Sequence, residues 1–259
     1  MFPKGLLASG DAEPKTQMVM TSPWRGIRRS ATLVIPLALS LLATGVAHAA
    51  YAGSVTQVGT VTVGTNPAGV AVSPDGTRVY VANNGATTIS VISTSTNTVI
   101  GTVTLASNPW GLAVSPDGTR LYASEWNTDK VSEIDTGTLL ELRTFTVGTQ
   151  PMGLAISSTG TRVYVAVNQA NAVQVINADS HTLGASITVG TGPISVALTP
   201  DGSNLFVANY TSNNVSVIAT ASGTVTDTIA IGAGTNPYGI AVNPAGTRVS
   251  SAVTATAHG

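Results

Sequence analysis

Asn108-Pro109-Trp110-Gly111-Leu112-Ala113-Val114-Ser115-Pro116-Asp117-Gly118-Thr119-Arg120-Leu121-Tyr122 reads as a turn, a short alternating strand, a tight turn and the start of a second strand. The same pattern recurs on both sides. Pro67, Pro109, Pro151 and Pro193 are 42 positions apart, and Pro237 follows 44 later. Gly69, Gly111, Gly153 and Gly239 keep step, with Ser195 standing in once. Each Ser-Pro-Asp-Gly or its counterpart predicts a tight turn. Pro presets φ, Asp bonds its own backbone, and Gly takes the left-handed position.

Around that stretch, one unit holds four strands. In the first unit they start near Gly69, Arg78, Ile89 and Val99, and each is bounded by Gly, Pro, Asn or Ser. A 42-residue period built from four strands predicts an all-β chain, a β-propeller of four-stranded blades. Repeats start near 66, 108, 150, 192 and 236. About five blades are expected, four complete and one composite or incomplete. A single blade cannot bury both its faces, so neighbours must stack. An orphan strand over 55–63 precedes the first unit, and the last unit degrades at Ser250-Ser251-Ala252-Val253. The two ends could join into a closed ring, or the array could be an open arc.

The composition agrees with this fold. Only 9% of the 259 residues are charged, and Cys is absent, so disulfides, thiolate metal sites and cysteine nucleophiles are excluded. From Ala50 onward six basic residues face ten acidic ones. That balance lacks the electrostatic footprint of a nucleic-acid binder. Residues 1–49 read as a leader and signal peptide. Arg25, Arg28 and Arg29 precede an apolar run from Ala31 to Ala43, and Ala47-His48-Ala49 gives a small-x-small site. Export with cleavage after Ala49 is expected, leaving the propeller domain over 50–259. Membrane contact is expected only through the uncleaved signal segment.

Asn-Pro-x-Gly, then Ser-Pro-Asp-Gly-Thr-Arg, then Tyr80-Val81-Ala82-Asn83 resembles the YVTN-type β-propeller repeat of bacterial and archaeal surface-layer-like proteins. The likeness covers roughly residues 55–250. It implies a cell-envelope or secreted protein and a ring of seven blades, more than this chain supplies.

Strand alternation places the loop before each unit and the loop between its second and third strands on one rim. That rim carries the variable x of Asn-Pro-x-Gly: Ala68, Trp110, Met152, Ile194 and Tyr238. The loop between the second and third strands adds Glu125, Trp126 and Asp129 in one unit and Tyr210 in another. Aromatic rings beside carboxylates and amides suit a sugar ring or an exposed peptide. The candidate contact surface is therefore Trp110, Glu125, Trp126, Asp129, Met152, Tyr210 and Tyr238. The alternative is that these side chains only plug the channel neck. Arg78, Arg120, Arg162 and Arg248 recur at one register, which points to blade packing.

Catalytic signals are sparse. Outside the leader the histidines are His181 and His258, and no Gly-x-Ser-x-Gly elbow or phosphate-binding loop occurs. No cofactor is expected. The expected function is a non-enzymatic binding scaffold for a cell-envelope glycan, peptide or protein. A lactonase-like propeller hydrolase or lyase is the alternative, and a fragment of a longer propeller is another.

Overall fold

The computed structural model describes residues 59–253 together with the backbone of Thr32–Leu33. The expected signal peptide and its cleavage site, the start of the orphan strand and His258 lie outside the described residues.

Four antiparallel sheets of four strands follow one another in chain order. Two-residue segments precede them, Thr32–Leu33 (β1) and Val61–Thr62 (β2), which pair with each other. The first sheet holds β3 (Pro67–Val72), β4 (Arg78–Asn83), β5 (Thr88–Ser93) and β6 (Thr98–Thr104). The second holds β7 (Pro109–Val114), β8 (Arg120–Glu125), β9 (Lys130–Asp135) and β10 (Glu141–Thr146). The third holds β11 (Pro151–Ile156), β12 (Arg162–Val167), β13 (Ala172–Asn177) and β14 (Thr182–Thr188). The fourth holds β15 (Pro193–Leu198), β16 (Asn204–Asn209), β17 (Asn214–Ala219) and β18 (Thr224–Ala230). These are blades one to four of a β-propeller.

A shorter pair follows, Pro237–Val242 (β19) with Val249–Val253 (β20). The degraded last repeat still forms its second strand. Of the two arrangements left open by the sequence, the described residues pair β2 with β1 and β19 with β20, and no ladder between β2 and β20 is seen among them. The inner strands stack as an arc, β3 on β7, β7 on β11, β11 on β15 and β15 on β19.

The turns follow from their residues. Gly76 has φ 69° and donates its N–H to the Ser73 carbonyl at 2.8 Å. The Asp75 carboxylate accepts from the Thr77 N–H at 3.0 Å and the Thr77 hydroxyl at 2.8 Å, and also from Ser73 Oγ. These bonds hold the Asp75 carboxyl down at about 2, with the Ser73 hydroxyl the largest cause. Asp117 is held at about 2 in the same way by Ser115 and Thr119.

The core lies between sheets. Tyr80, Ile89 and Val91 of blade one pack with Leu112, Leu121 and Ile134 of blade two. Tyr122, Val131 and Phe145 of blade two pack with Val163, Val165 and Ile176 of blade three. No sheet buries its apolar side chains alone, as a quasi-one-dimensional stack requires.

The glycine of Asn-Pro-x-Gly sets how closely the blades approach. A Cβ built on Gly69 or Gly111 would collide with the carbonyl oxygen of Trp110 or Met152 in the following blade. On Gly153 it would stand 2.7 Å from the Ile194 carbonyl oxygen. The recurring arginines also serve packing. Arg78 Nη1 donates to the Thr136 carbonyl of the next blade at 2.7 Å, and Arg162 Nη1 to the Thr220 carbonyl at 3.2 Å.

Candidate functional site

The ladder registers Pro67↔Asn83, Pro109↔Glu125, Pro151↔Val167 and Pro193↔Asn209 bring the start of each inner strand to the end of the second strand. The variable x residues and the loops after the second strands therefore share one rim.

The first residue of those loops follows the 42-residue period as Asn84, Trp126, Asn168 and Tyr210. The two asparagines are staples. Asn84 Nδ2 donates to the Pro109 carbonyl of the next blade at 3.2 Å, and Asn168 Nδ2 to the Pro193 carbonyl at 3.2 Å. The two aromatic residues instead form ring pairs. Trp126 lies 6.0 Å from Trp110 of its own blade, with planes tilted by 53°. Tyr210 reaches forward to Tyr238 at 6.4 Å in an edge-on contact of 82°. Both distances fall in the favourable range for aromatic pairs.

Trp110, Trp126 and Tyr210 are half-buried and rest on the cluster that holds Met152 and Ile194. Met152 and Ile194 themselves are buried, while Tyr238 is 40% exposed. Burial raises the Tyr238 hydroxyl pKa, and the neighbouring Tyr210 adds to that shift. The indole Nε1 of Trp126 is buried with no hydrogen-bond partner among the described residues.

Glu125 and Asp129 do not join this surface as the sequence suggested. Glu125 is the last residue of β8, not a loop residue, and it is fully buried. Its carboxylate accepts from Ser132 Oγ and, at 3.4 Å, from Thr128 Oγ1. It replaces Asn83 and Asn209, whose Nδ2 atoms donate to Ser90 Oγ at 3.0 Å and Ser216 Oγ at 2.8 Å. The side chain ties strand to strand. Asp129 has φ 61° and accepts from the Gln150 N–H at 3.2 Å, as Asn171 Oδ1 accepts from the Gly192 N–H at 3.0 Å. It pins the loop that enters the next blade. Met152, expected on the contact surface, instead lies buried beneath the rings, so the rim left for contact is Trp110, Trp126, Tyr210 and Tyr238, and it is aromatic.

A cleft of about 500 Å³ lies at the opposite rim between blades two and three. Ser115, Asp117, Arg120, Tyr122, Glu133 and His181 line it. Glu133 is buried and ion-paired to Arg120 Nε at 3.2 Å and Arg143 Nε at 3.6 Å. His181 Nδ1, from the next blade, stands 3.6 Å from Glu133 Oε2. Burial, and then the Glu133 charge, raise the Tyr122 hydroxyl pKa to about 12. Sequence spacing did not join His181 to Glu133, because the two meet only through blade stacking. The one signal was local: Glu133 stands at the register of Val91, Val175 and Val217.

Among the described residues, no three His, Cys, Asp or Glu side chains come together to hold a metal ion. A hydrolase would need such a group or an acid–base pair beside the reacting bond. The aromatic rim holds neither. It can stack on flat apolar surfaces and accept or donate at its hydroxyls and indoles.

The family model described as lactonase, 7-bladed beta-propeller, matches residues 46–136 and 131–239. No curated protein matches the chain. Among solved structures, a chain of Kuenenia stuttgartiensis hydrazine synthase is similar at 30% identity and a TM-score of 0.69, over 74% of this chain and 57% of its own. A functionally unknown protein from Desulfotomaculum acetoxidans DSM 771 is similar at 21% identity and a TM-score of 0.68, over 75% of this chain and 65% of its own. The chain thus spans less than two thirds of either solved chain. With its repeated four-stranded blades and both halves of the array matched, the chain belongs to the lactonase, seven-bladed β-propeller family.

Proposed function

We propose that this chain is an exported binding module whose aromatic rim holds a glycan of the cell envelope. One observation carries the reading. Trp126 replaces the asparagine that staples blades elsewhere, and its ring turns to Trp110 instead. That exchange gives up an inter-blade hydrogen bond and leaves an indole N–H without a partner. An unpaired buried donor costs about 1–3 kcal/mol. Giving up that bond for a ring pair at a rim position is understandable if the exposed ring faces hold a ligand. Paired aromatic rings over buried Met152 give a sugar face something to stack on. The resemblance to surface-layer-like repeats supports the envelope as the place of action.

The family match favours a second reading, hydrolysis of a lactone. Two assays separate the readings. Calorimetric titration with oligomers of N-acetylglucosamine is expected to give saturable binding. A pH-stat assay with γ-butyrolactone, with and without chelator, is expected to give only the buffer rate. Chelator-sensitive ring opening with no oligosaccharide binding would replace the binding reading with the hydrolytic one.

A further inference from the structure

An arginine begins the second strand of blades one, two and three, and one of the three behaves differently. Arg78 and Arg162 each cross to the next blade, where they donate to the Thr136 and Thr220 carbonyls. Arg120 makes no such bond. Its Nε pairs with Glu133 Oε1 at 3.2 Å, and its Nη1 with Asp135 Oδ2 at 2.9 Å. Nη1 also donates to the Thr119 carbonyl of its own blade at 3.0 Å. The cause lies in β9. Glu133 and Asp135 stand where blade one has Val91 and Ser93 and blade three has Val175 and Asn177. An ionised acceptor attracts a guanidinium more strongly than a neutral carbonyl does, so β9 draws the side chain back.

The withdrawal leaves acceptors behind. Ala178 has the register of Thr136 and Thr220, yet its carbonyl receives no arginine. The cleft of about 500 Å³ opens at this place, whereas Arg78 crosses the matching cleft of about 360 Å³ between blades one and two. Glu133 is 1% exposed and lines the open cleft, and its Oε2 accepts no hydrogen bond among the described residues. Arg143 Nε and His181 Nδ1 flank that oxygen at 3.6 Å, beyond hydrogen-bond distance. Three lining carboxylates, Asp117, Glu133 and Asp179, face the one guanidinium of Arg120. Just beyond them Asp135 and Arg143 offset each other, so with His181 neutral the cleft is electronegative.

We propose that this cleft binds a guanidinium cation, which takes the place across the blade interface that Arg120 leaves. The two sibling interfaces already hold this group at this register. A guanidinium spreads its N–H donors around a rigid plane. One edge bonds the Ala178 carbonyl and another faces Glu133 Oε2, while Asp117 and Asp179 balance the charge. A primary ammonium carries the charge without that planar spread. Either a free small molecule or an arginine side chain of a peptide brings the same group. The site lies on the rim opposite the aromatic residues and does not depend on their ligand.

Calorimetric titration of the full chain with agmatine tests this, beside putrescine, which matches its charge without a guanidinium. Agmatine is expected to saturate a single site and to bind about tenfold or more tighter than putrescine. An acetylated Gly-Arg-Gly amide identifies the source, since tighter binding than agmatine means a peptide and weaker binding a small molecule. The double variant Glu133→Val, Asp135→Asn installs the residues of β13 and releases Arg120 toward Ala178. It is expected to melt at or above the wild-type temperature and to bind agmatine about tenfold or more weakly. Asp179→Asn, at an exposed turn, is expected to weaken binding several-fold with an unchanged melting temperature. Absence of saturable agmatine binding, putrescine binding as tightly as agmatine, or wild-type affinity in both variants would each overturn the proposal.

Discussion

Trp126 and Trp110 face each other at 6.0 Å within one blade, at a loop register where Asn84 instead bonds the following blade. The rim therefore carries two kinds of residue at one position. Asn84 and Asn168 fasten blades, while Trp126 and Tyr210 form ring pairs. The alternation separates what the propeller needs for folding from what it presents to solvent.

The inner-strand glycines should be the least tolerant rim positions. Gly153→Ala puts a methyl group 2.7 Å from the Ile194 carbonyl oxygen and 3.0 Å from Ser195 Cα. Both partners are backbone, so the blades must part. The expected cost is about 1–3 kcal/mol, as for other overpacked interiors. Urea denaturation would read this as a lower midpoint with an unchanged slope.

Glu133 is buried where other blades have valine, and it is ion-paired to the partly exposed Arg120 and Arg143. Replacing a buried ion pair with a packed apolar residue is often neutral or stabilising by about 1–4 kcal/mol, whereas removing one partner is destabilising. Glu133→Val removes the buried charge and leaves Arg120 and Arg143, each more than a third exposed, to be solvated by water, so it is expected to leave the denaturation midpoint unchanged or raise it. Arg120→Ala is expected to lower it, by about 1–2 kcal/mol once its partial exposure to solvent is allowed for. The opposite order would mean that Glu133 does more than fill its place.

Acid should loosen the turns. The Asp75 and Asp117 carboxyls are held at about 2 against an ordinary 3.8. A carboxyl with a depressed folded pKa stabilises the fold above its unfolded pKa and loses that contribution as pH falls through the folded value. The melting temperature is expected to fall as pH drops from about 4 to about 2. Ser115→Ala removes the largest cause at Asp117, so its carboxyl should titrate closer to 3.8 in a carbon NMR titration.

The propeller was legible because its signals are local. Pro-Asp-Gly turns and alternating strands need no distant partner to be read, so β3 to β18 fall close to the expected bounds. The second strand of the last repeat survives as β20 although Ser250 and Ser251 replace its apolar residues, because β19 supplies the ladder. The candidate site was less legible. Trp110, Trp126, Tyr210 and Tyr238 do gather on one rim, but the Tyr210–Tyr238 contact crosses blades and depends on their stacking. Glu125 and Asp129 look like loop carboxylates in the sequence. In the fold, Glu125 closes a buried strand end and Asp129 pins the next loop, and only the pairing register reveals either role.

The most direct measurement is indole fluorescence of the wild type and Trp126→Asn, each titrated with N-acetylglucosamine oligomers. The substitution installs the residue of blades one and three, and its amide would be placed to donate to the Pro151 carbonyl as Asn84 does to that of Pro109. The account predicts a stability within about 1 kcal/mol of the wild type, since lost stacking is offset by a hydrogen bond of similar worth. It also predicts an apparent affinity weaker by about tenfold or more, as loss of about 1.4 kcal/mol of contact energy requires. Binding of the same strength in both proteins, followed in the variant by calorimetry, would contradict the assignment of the aromatic rim as the binding surface.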